Sequence, residues 1–196
     1  MKVVLATANP GKATEISAVL GGAVELVPRP ESVPEVVEDA DTLEGNARLK
    51  AMAIVEATGE AALADDTGLE VDALGGAPGV HSARYAGPDG EAAPNRRKLL
   101  AELERVGATE ATERTARFRT VLVLRRPDGS ETIAEGTVEG RIADRMQGEG
   151  GFGYDAVFIP DDDPHGRTFA QMDTDEKNAI SHRGRALRHL AEMLGD

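Results

Sequence analysis

The sequence contains no cysteine and no tryptophan, and its aromatic residues are limited to four phenylalanines and two tyrosines. Without cysteine the chain has no disulfide, no thiolate zinc site and no cysteine nucleophile. No apolar run approaches the roughly 20 residues that a membrane helix needs. The apolar segment 3–6 becomes polar at Thr7 and is too short for a signal peptide, so we expect a soluble cytoplasmic protein.

Positive charge is also scarce. The 196 residues include 22 lysines and arginines against 35 aspartates and glutamates, which gives a formal net charge of -13. Binding to DNA or RNA depends on cationic side chains that neutralise phosphates, and no basic stripe follows any predicted helix or strand. We therefore expect no nucleic-acid partner. A small anionic ligand needs only a local positive pocket, so this class of ligand stays open.

The pattern of apolar residues switches repeatedly between strand and helix spacing, which predicts a single α/β domain over 1–196 with a mixed sheet. Segments 23–40 and 75–90 are rich in proline or glycine and are predicted as extended or loop regions. A helix is predicted after the turn that ends at Lys12, and it stops at Gly21. The other predicted helices run over 42–58, 95–105 and 181–194, and the predicted strands over 3–6, 61–64, 69–71, 116–124, 131–142 and 156–159.

The turn from Thr7 to Lys12 joins the first predicted strand to the first predicted helix. A turn of this kind presents backbone N–H groups and the positive end of a helix dipole to an anion. Thr7, Asn9 and Lys12 add side-chain donors, and Gly11 keeps the turn compact. The pattern is shorter than a Walker P-loop. Taken alone, it is equally compatible with an ordinary strand–helix connection.

Two adjacent carboxylates, Asp65 and Asp66, follow a short apolar strand and precede a Thr-Gly pair that predicts a turn. Ligands of α/β sheets bind at the carboxyl ends of strands, and Mg²⁺ takes carboxylate oxygens while it holds substrate phosphates. Asp66 is therefore a candidate metal ligand. Asn46 and Lys50 share one face of the second helix, which fits a phosphate contact or a solvated face. The second carboxylate stays open among Glu35, Glu38, Asp39, Asp41 and Glu44.

A glycine-rich turn at 150–155 carries two of the six aromatic residues. Phe152 offers a face on which a base can stack, and Asp155 can accept a hydrogen bond from a base N–H. Downstream, His182 and Arg183 can donate to a carbonyl on the edge of a base. Ser181 could equally be the N-cap of the last helix. The concurrence of these residues favours a purine nucleotide site.

Together these motifs resemble the family of inosine triphosphate pyrophosphatases, also called non-canonical purine (XTP/dITP) diphosphatases. The marks of that family are Thr-x-Asn-x-x-Lys, Asp-Asp-Ser/Thr-Gly-Leu, Leu-Gly-Gly-x-Pro-Gly, Phe-Gly-Tyr-Asp-Pro and Glu-Lys-Asn-x-x-Ser-His-Arg. This chain departs from them at Ala156, where proline is usual, and at Gly45, where many members have glutamate. The motifs occur in the same order here, at 7–12, 65–69, 74–79, 152–155 and 176–183.

The resemblance implies Mg²⁺-dependent hydrolysis of ITP, dITP and XTP to the monophosphate and pyrophosphate by a homodimer. It also implies an elongated, two-lobed α/β fold around a long mixed sheet, with the active site in the cleft between the lobes. Asp66 matches the general base and one metal ligand, and Glu38 matches the second metal ligand. The other matched positions are substrate contacts: Thr7, Asn9, Gly11, Lys12, Lys50, Thr67, Phe152, Gly153, Tyr154, Asp155, Lys177, His182 and Arg183.

Donors at His182 and Arg183, with Asp155 accepting from N1–H, would reject ATP because adenine carries an amino group where hypoxanthine carries oxygen. The same logic does not reject GTP. Two other functions stay open. A Maf-like pyrophosphatase for pyrimidine or modified nucleotides is disfavoured by the Ser-His-Arg cluster, and a non-catalytic nucleotide sensor is disfavoured by the retained Asp65–Asp66 pair.

Overall fold

A computed structural model describes residues 1–88 and 90–195. Its strands are β1 (Lys2–Leu5), β2 (Glu25–Val27), β3 (Ala61–Val71), β4 (Pro78–Gly79), β5 (Thr115–Arg125), β6 (Glu131–Ile142) and β7 (Phe158–Pro160). They form one sheet in the order β2-β1-β3-β5-β6-β7, and β4 pairs with β3 outside this path. β1 is parallel to β2 and β3, whereas β4 is antiparallel to β3 and β7 is antiparallel to β6. The mixed α/β sheet predicted from the sequence is confirmed.

Five α-helices accompany the sheet in the described ranges, and local sequence explains where two of them begin. α1 begins at Pro10, and the side chain of Asn9 caps it. The hydroxyl of Thr42 accepts from the N–H of Gly45 at 3.0 Å and caps α2. None of the helices in the described part of the chain is long and apolar enough to cross a membrane. The helices are α1 (Pro10–Leu20), α2 (Leu43–Thr58), α3 (Ala92–Arg105), α4 (Thr174–Ile180) and α5 (His182–Gly195).

The segment that contains the two adjacent aspartates differs from its prediction. Ala61–Val71 is one continuous strand of 11 residues, so the turn predicted at 65–68 is wrong. Asp65 and Asp66 therefore lie in the middle of a strand, where neighbouring side chains point to opposite faces of the sheet. Both carboxylates find cationic partners inside the protein, and this pairing makes a buried strand position tolerable for them.

Helix α4 was not predicted from the sequence. It has only seven residues, and its apolar spacing is too short to be recognised as a helix. It is fixed by a reciprocal cap, in which Asp173 accepts from the N–H of Glu176 and Glu176 accepts from the N–H of Asp173. This short helix carries Lys177, one of the candidate site residues.

The chain forms two compact units. The first unit comprises Met1–Asp66, Thr120–Gly136 and His182–Asp196, and α1 packs against α5 within it. Its core is aliphatic, as expected where helices cover a sheet. The buried side chains of this core include Val3, Leu5, Ile16, Leu20, Leu63, Leu122, Leu124, Leu187 and Leu190.

The second unit comprises Thr67–Arg119 and Thr137–Ser181 and has a separate core. Three phenylalanines, Phe118, Phe158 and Phe169, are packed with ring centroids 4.7 to 6.3 Å apart. Such distances are typical of favourable aromatic pairs. Half of the chain's six aromatic rings therefore pack together in this unit.

Within the first unit, α5 lies unusually close to β6 at Gly136. A Cβ atom at this position would lie 2.1 Å from the carbonyl oxygen of His182 and 2.5 Å from the amide nitrogen of Ala186. Only glycine fits so close an approach of two backbones. The contact places the first turn of α5, which carries Arg183, directly on the sheet.

Candidate active site

The Asp66 cluster consists of Glu38, Asn46, Lys50 and Asp66 in the first unit. The ammonium of Lys50 lies 2.8 Å from Asp66 Oδ1 and 3.1 Å from Glu38 Oε1, so two carboxylates converge on one cation. Asn46, one turn earlier on α2, donates to Asp66 Oδ2 at 3.5 Å, and its own Oδ1 accepts from the N–H of Ala40. The shared helix face predicted for Asn46 and Lys50 thus points at Asp66.

Burial and neighbouring charges together set the pKa values of Asp66 and Lys50. It raises the pKa of Asp66 above its ordinary value, although the attraction of Lys50 acts in the opposite direction. Burial also lowers the pKa of Lys50, but the attraction of Asp66, Asp65 and Glu38 outweighs it and leaves that pKa raised. A carboxylate with a raised pKa is a better proton acceptor, which suits Asp66 to general-base chemistry.

The donor set of the Asp66 cluster fits a divalent cation such as Mg²⁺. Glu38 and Asp66 supply two carboxylates that already meet around a positive charge, and both retain partial access to solvent. Mg²⁺ commonly binds through one or two carboxylates and completes its shell with water and substrate phosphates. No group of three or more His, Asp or Glu side chains suited to a metal occurs within 1–88 and 90–195. The described residues therefore do not form a metal site whose ligands are all protein side chains.

The Asp65 cluster lies on the other side of β3 and consists of Lys12, Glu15, Asp65 and Arg183. Asp65 Oδ2 lies 2.9 Å from the ammonium of Lys12, and it accepts from Nε and Nη2 of Arg183 at 3.2 and 3.1 Å. Arg183 also donates through Nη1 to Glu15. The side chain of Asp65 has no exposed surface, and that of Arg183 is 1% exposed. Asp65, Glu15 and Arg183 are thus buried together, and the side chain of Lys12 beside them is partly exposed.

The charges of the Asp65 cluster compensate one another. Burial alone would raise the pKa of Asp65, but Lys12 and Arg183 hold it well below its usual range. Burial lowers the pKa of Lys12, and the positive charges of Arg183 and Lys50 lower it further. Asp65 is therefore a permanently ionised carboxylate that orients two cationic side chains.

The turn from Thr7 to Lys12 joins β1 to α1, and two of its side chains accept from its own backbone. Thr7 Oγ1 accepts from the N–H of Asn9 at 3.1 Å, and Asn9 Oδ1 accepts from the N–H of Lys12 at 3.2 Å. These bonds fix the start of α1, an 11-residue helix whose dipole is positive at this end. The ammonium of Lys12 stands beside this helix end, held by Asp65.

The Asp155 cluster lies in the second unit and consists of Phe152, Asp155 and Lys177. Asp155 Oδ2 accepts from the N–H of Phe152 at 2.8 Å and from the ammonium of Lys177 at 2.7 Å. The same ammonium lies 4.4 Å from the centroid of the Phe152 ring, within cation–π range. Lys177 therefore holds the carboxylate and the ring in one arrangement.

The turn around this cluster requires glycine at position 151. Gly151 has a φ of +69°, and a Cβ atom there would lie 2.2 Å from Asp155 Oδ2. Any other residue would displace the carboxylate as well as strain the backbone. Gly151 is thus the glycine of this turn that leaves room for the carboxylate of Asp155.

Tyr154 belongs to the core rather than to the exposed part of the turn. Its hydroxyl donates to the carbonyl of Ser82 at 2.8 Å, and its ring packs in the core of the second unit. Burial raises the pKa of its hydroxyl. The ring of Tyr154 is therefore not available for base stacking, and any contact that this residue makes with a ligand falls to its backbone.

Comparison with known proteins identifies the family. The sequence model of the Ham1 family matches residues 3–193. The chain belongs to the Ham1 family. It is 50% identical to a protein of Thioalkalivibrio sulfidiphilus and 48% identical to one of Desulforamulus reducens, both named dITP/XTP pyrophosphatase. The alignments cover 99% of this chain in both cases, and 98% and 96% of the two relatives. The family resemblance deduced from the motifs is confirmed.

Solved structures of Ham1 proteins support the same assignment. A HAM1 protein of Coxiella burnetii superposes with a TM-score of 0.87 at 40% identity, covering 100% of this chain and 98% of that one. The Ham1 protein of Staphylococcus aureus gives a TM-score of 0.84 at 37% identity, with the same coverage. The Ham1 fold therefore extends over the whole chain.

The candidate residues predicted from the sequence fall into both units. The segment 177–183 does not act as one cluster, because Lys177 contacts Asp155 in the second unit whereas Arg183 contacts Asp65 and Glu15 in the first. His182 is buried at the start of α5. The first unit contains Thr7, Asn9, Gly11, Lys12, Glu38, Lys50, Asp66, His182 and Arg183, and the second contains Thr67, Phe152, Gly153, Tyr154, Asp155 and Lys177.

Sequence reasoning missed Asp65 and Glu15 as members of the site. Asp65 stood beside a predicted ligand, but its contact with Arg183 joins residues 118 positions apart, which no local pattern reveals. Glu15 carried a detectable signal, since it lies three positions after Lys12 and so shares its side of α1. A carboxylate on the apolar side of a helix marks a buried partner of opposite charge.

Proposed function

We propose that this Ham1-family chain hydrolyses ITP, dITP and XTP to the nucleoside monophosphate and pyrophosphate. One observation carries the proposal: Glu38, Lys50 and Asp66 converge in a chain about half identical, over nearly its full length, to proteins named dITP/XTP pyrophosphatase. A pair of carboxylates beside an ammonium suits the transfer of a phosphoryl group to water.

Glu38 and Asp66 would hold Mg²⁺. When bound, the ion neutralises charge on phosphate oxygens as it develops. Lys50 and Lys12 are the cations that can pair with the triphosphate, and the positive end of the α1 dipole adds to their attraction. Asp65 keeps the ammonium of Lys12 at that helix end.

Asp66 is the proposed general base. It takes a proton from a water molecule whose oxygen attacks the α-phosphorus, and the bond between this phosphorus and the α–β bridging oxygen breaks. The electron pair of that bond leaves with pyrophosphate, whose charge Lys12 and Lys50 offset. The position of Asp66 beside Glu38 and Lys50, where the metal and the triphosphate are proposed to bind, supports this role.

The Asp155 cluster is the proposed binding group for the purine. Phe152 supplies a face for stacking, and the ammonium of Lys177 is a donor suited to the 6-oxygen of hypoxanthine or xanthine. Adenine carries an amino group at that position and would leave the donor unpaired, which disfavours ATP. His182 and Arg183 remain proposed nucleotide contacts, as do Thr67 and the backbone of 152–155.

The two units are proposed to be parts of one pyrophosphatase domain, since the family match runs through both at 3–193. Assembly as a homodimer and location in the cytoplasm are proposed on the family resemblance. Size-exclusion chromatography with light scattering would test the dimer directly, because a mass of one chain contradicts it.

The decisive experiment is release of pyrophosphate from ITP, XTP, GTP, ATP and dTTP, with Mg²⁺ and with EDTA. The proposal requires strong release from ITP and XTP that depends on Mg²⁺ and is weak for the other nucleotides. Binding of ITP without any release of pyrophosphate contradicts the enzymatic proposal and favours a nucleotide sensor. Release chiefly from dTTP favours a pyrophosphatase for pyrimidine nucleotides.

A further inference from the structure

One contact to the proposed base-binding turn comes from a helix that neither the motifs nor the mechanism involve. Nη1 of Arg96, on α3, donates to the carbonyl oxygen of Gly153 at 2.6 Å. Gly153 lies between Phe152 and Asp155, the ring and the carboxylate of the Asp155 cluster. The hydrogen bond joins residues 57 positions apart and has a charged donor, which makes it stronger than an ordinary one.

The guanidinium of Arg96 is enclosed rather than loosely placed. Its Nε atom is buried and, among the described residues, finds no hydrogen-bond partner. Burial of an unpaired polar atom costs free energy, so another interaction must hold the guanidinium in this position. The bond to Gly153 offsets that cost and specifies where the guanidinium lies.

The residue before Arg96 is anchored independently. Asn95 donates from Nδ2 to the carbonyl of Ala83 at 2.8 Å and to that of Ser82 at 3.4 Å, and it accepts from the N–H of Ala86 at 2.6 Å. The carbonyl of Ser82 also accepts from the hydroxyl of Tyr154. The start of α3 is therefore fixed relative to two neighbouring residues of the turn. Arg96 binds Gly153 directly, and Asn95 shares the carbonyl of Ser82 with Tyr154.

We propose that Arg96 is a positioning residue for the purine-binding turn, holding the Gly153 carbonyl so that Phe152 and Asp155 keep the arrangement that accepts the base. The inference rests on the proposed function of this turn. It assigns Arg96 an effect on the nucleobase, because its contact is with the turn that carries Phe152 and Asp155. Loss of Arg96 should weaken binding of the base while leaving the chemical step intact.

The test uses Arg96→Met, which keeps much of the apolar stem and removes all the donors. Arg97→Met is the matched control, because it removes the same charge from the adjacent, exposed position. We expect KM for ITP to rise about tenfold in Arg96→Met, the size expected where a hydrogen bond from a charged donor is lost. The kcat of this variant and both constants of Arg97→Met should stay within about twofold of wild type, which is normal for a surface change.

Two further measurements separate positioning from a general loss of structure. Competitive inhibition by inorganic triphosphate, which has no base, should be unchanged in Arg96→Met. Arg96→Lys, which keeps one cationic donor, should restore part of the affinity for ITP. An unchanged KM in Arg96→Met, an equal change in Arg97→Met, or a parallel weakening of triphosphate inhibition would overturn the inference.

Failure of the proposed function is recognised separately. If the wild-type protein releases no pyrophosphate from ITP, the enzymatic proposal fails, and calorimetric binding of inosine monophosphate then decides the role of Arg96. Weaker binding in Arg96→Met than in wild type and Arg97→Met supports it. Equal binding in all three proteins, or no binding to the wild type, overturns it.

Discussion

The candidate residues of the first unit form a dense network of charges, whereas those of the second unit comprise one ion pair beside an aromatic ring. The Asp65 and Asp66 clusters together hold four carboxylates and three cations. The Asp155 cluster holds one carboxylate and one ammonium, with the ring of Phe152. The first arrangement suits a polyanion with a metal, and the second suits a flat, nearly neutral base.

A second contrast lies within the first network, between neighbours in the chain. Asp65 has no exposed side-chain surface and two cationic partners, Lys12 and Arg183, whereas Asp66 keeps some access to solvent and a raised pKa. One carboxylate is held ionised and in place, and the other is the proposed general base. The contrast separates an orienting role from a reactive one at adjacent positions of one strand.

The largest effect is expected for Asp66→Asn. The amide cannot accept the proton of the attacking water, so kcat for ITP should fall by about 10²–10⁴-fold, the usual contribution of a general base. Thermal unfolding should change little, because Lys50 keeps its contact with Glu38. The measurement is release of pyrophosphate under saturating ITP. Near-wild-type turnover with normal unfolding would remove Asp66 from the mechanism.

Asp65→Asn should act mainly on stability. It leaves the buried Arg183 without the carboxylate that it shares with Lys12, and breaking a buried ion pair typically costs about 3–5 kcal/mol. Unfolding in urea measures the loss. The control is Asp72→Asn, which breaks a partly exposed pair with Arg117 and should cost no more than about 1 kcal/mol. Equal stability of the two variants would contradict the orienting role of Asp65.

Gly151→Ala should disturb the Asp155 cluster and leave the Asp65 and Asp66 clusters intact. The added Cβ collides with the carboxylate of Asp155, and a displacement of the order of 1 Å can cost up to about 10²-fold, so we expect KM for ITP to rise at least about tenfold. Gly107→Ala is the control, because Gly107 has a similar φ of +77° and no atom within 4 Å of an added Cβ. Both variants should lose some stability. A KM that rises equally in both would show that the strain, and not the carboxylate, matters.

The smallest effect is expected for Phe152→Ala. Loss of a base-stacking ring typically costs about 1–3 kcal/mol, so KM for ITP should rise at least about fivefold with kcat little changed. Phe152→Tyr keeps the ring and should bind ITP nearly as the wild type does. Steady-state kinetics on ITP and XTP measure both variants. If Phe152→Ala and Phe152→Tyr have the same KM, the stacking role is wrong.

Local patterns sufficed wherever structure depends on neighbours in sequence. The helix face shared by Asn46 and Lys50 and the mixed α/β sheet could be predicted because periodicity acts over a few residues. The first helix was expected only after Lys12, but it begins at Pro10, where Asn9 caps it. The strand through Asp65 and Asp66 could not be predicted. Two adjacent aspartates resemble a turn until their cationic partners are known, and these partners lie in other elements.

The same limit applies to the candidate site. The motifs supplied the candidate residues, but the nearness of Lys177 and Arg183 in sequence gave no sign that their partners differ. The end of the short helix α4 comes between them, and each side chain pairs within a different unit. Arg96 was outside every motif, since its contact with Gly153 depends on how α3 packs.

The close approach at Gly136 also bears on how this chain can vary. Every missense change of a single base in a glycine codon introduces a residue with a Cβ atom, and here that atom meets the backbone of His182 and Ala186. Backbone atoms cannot move aside as a flexible side chain can, so a substitution in α5 would not easily accommodate the change. Gly136 lies outside every motif that the sequence displays, yet inherited variation at this codon should be poorly tolerated.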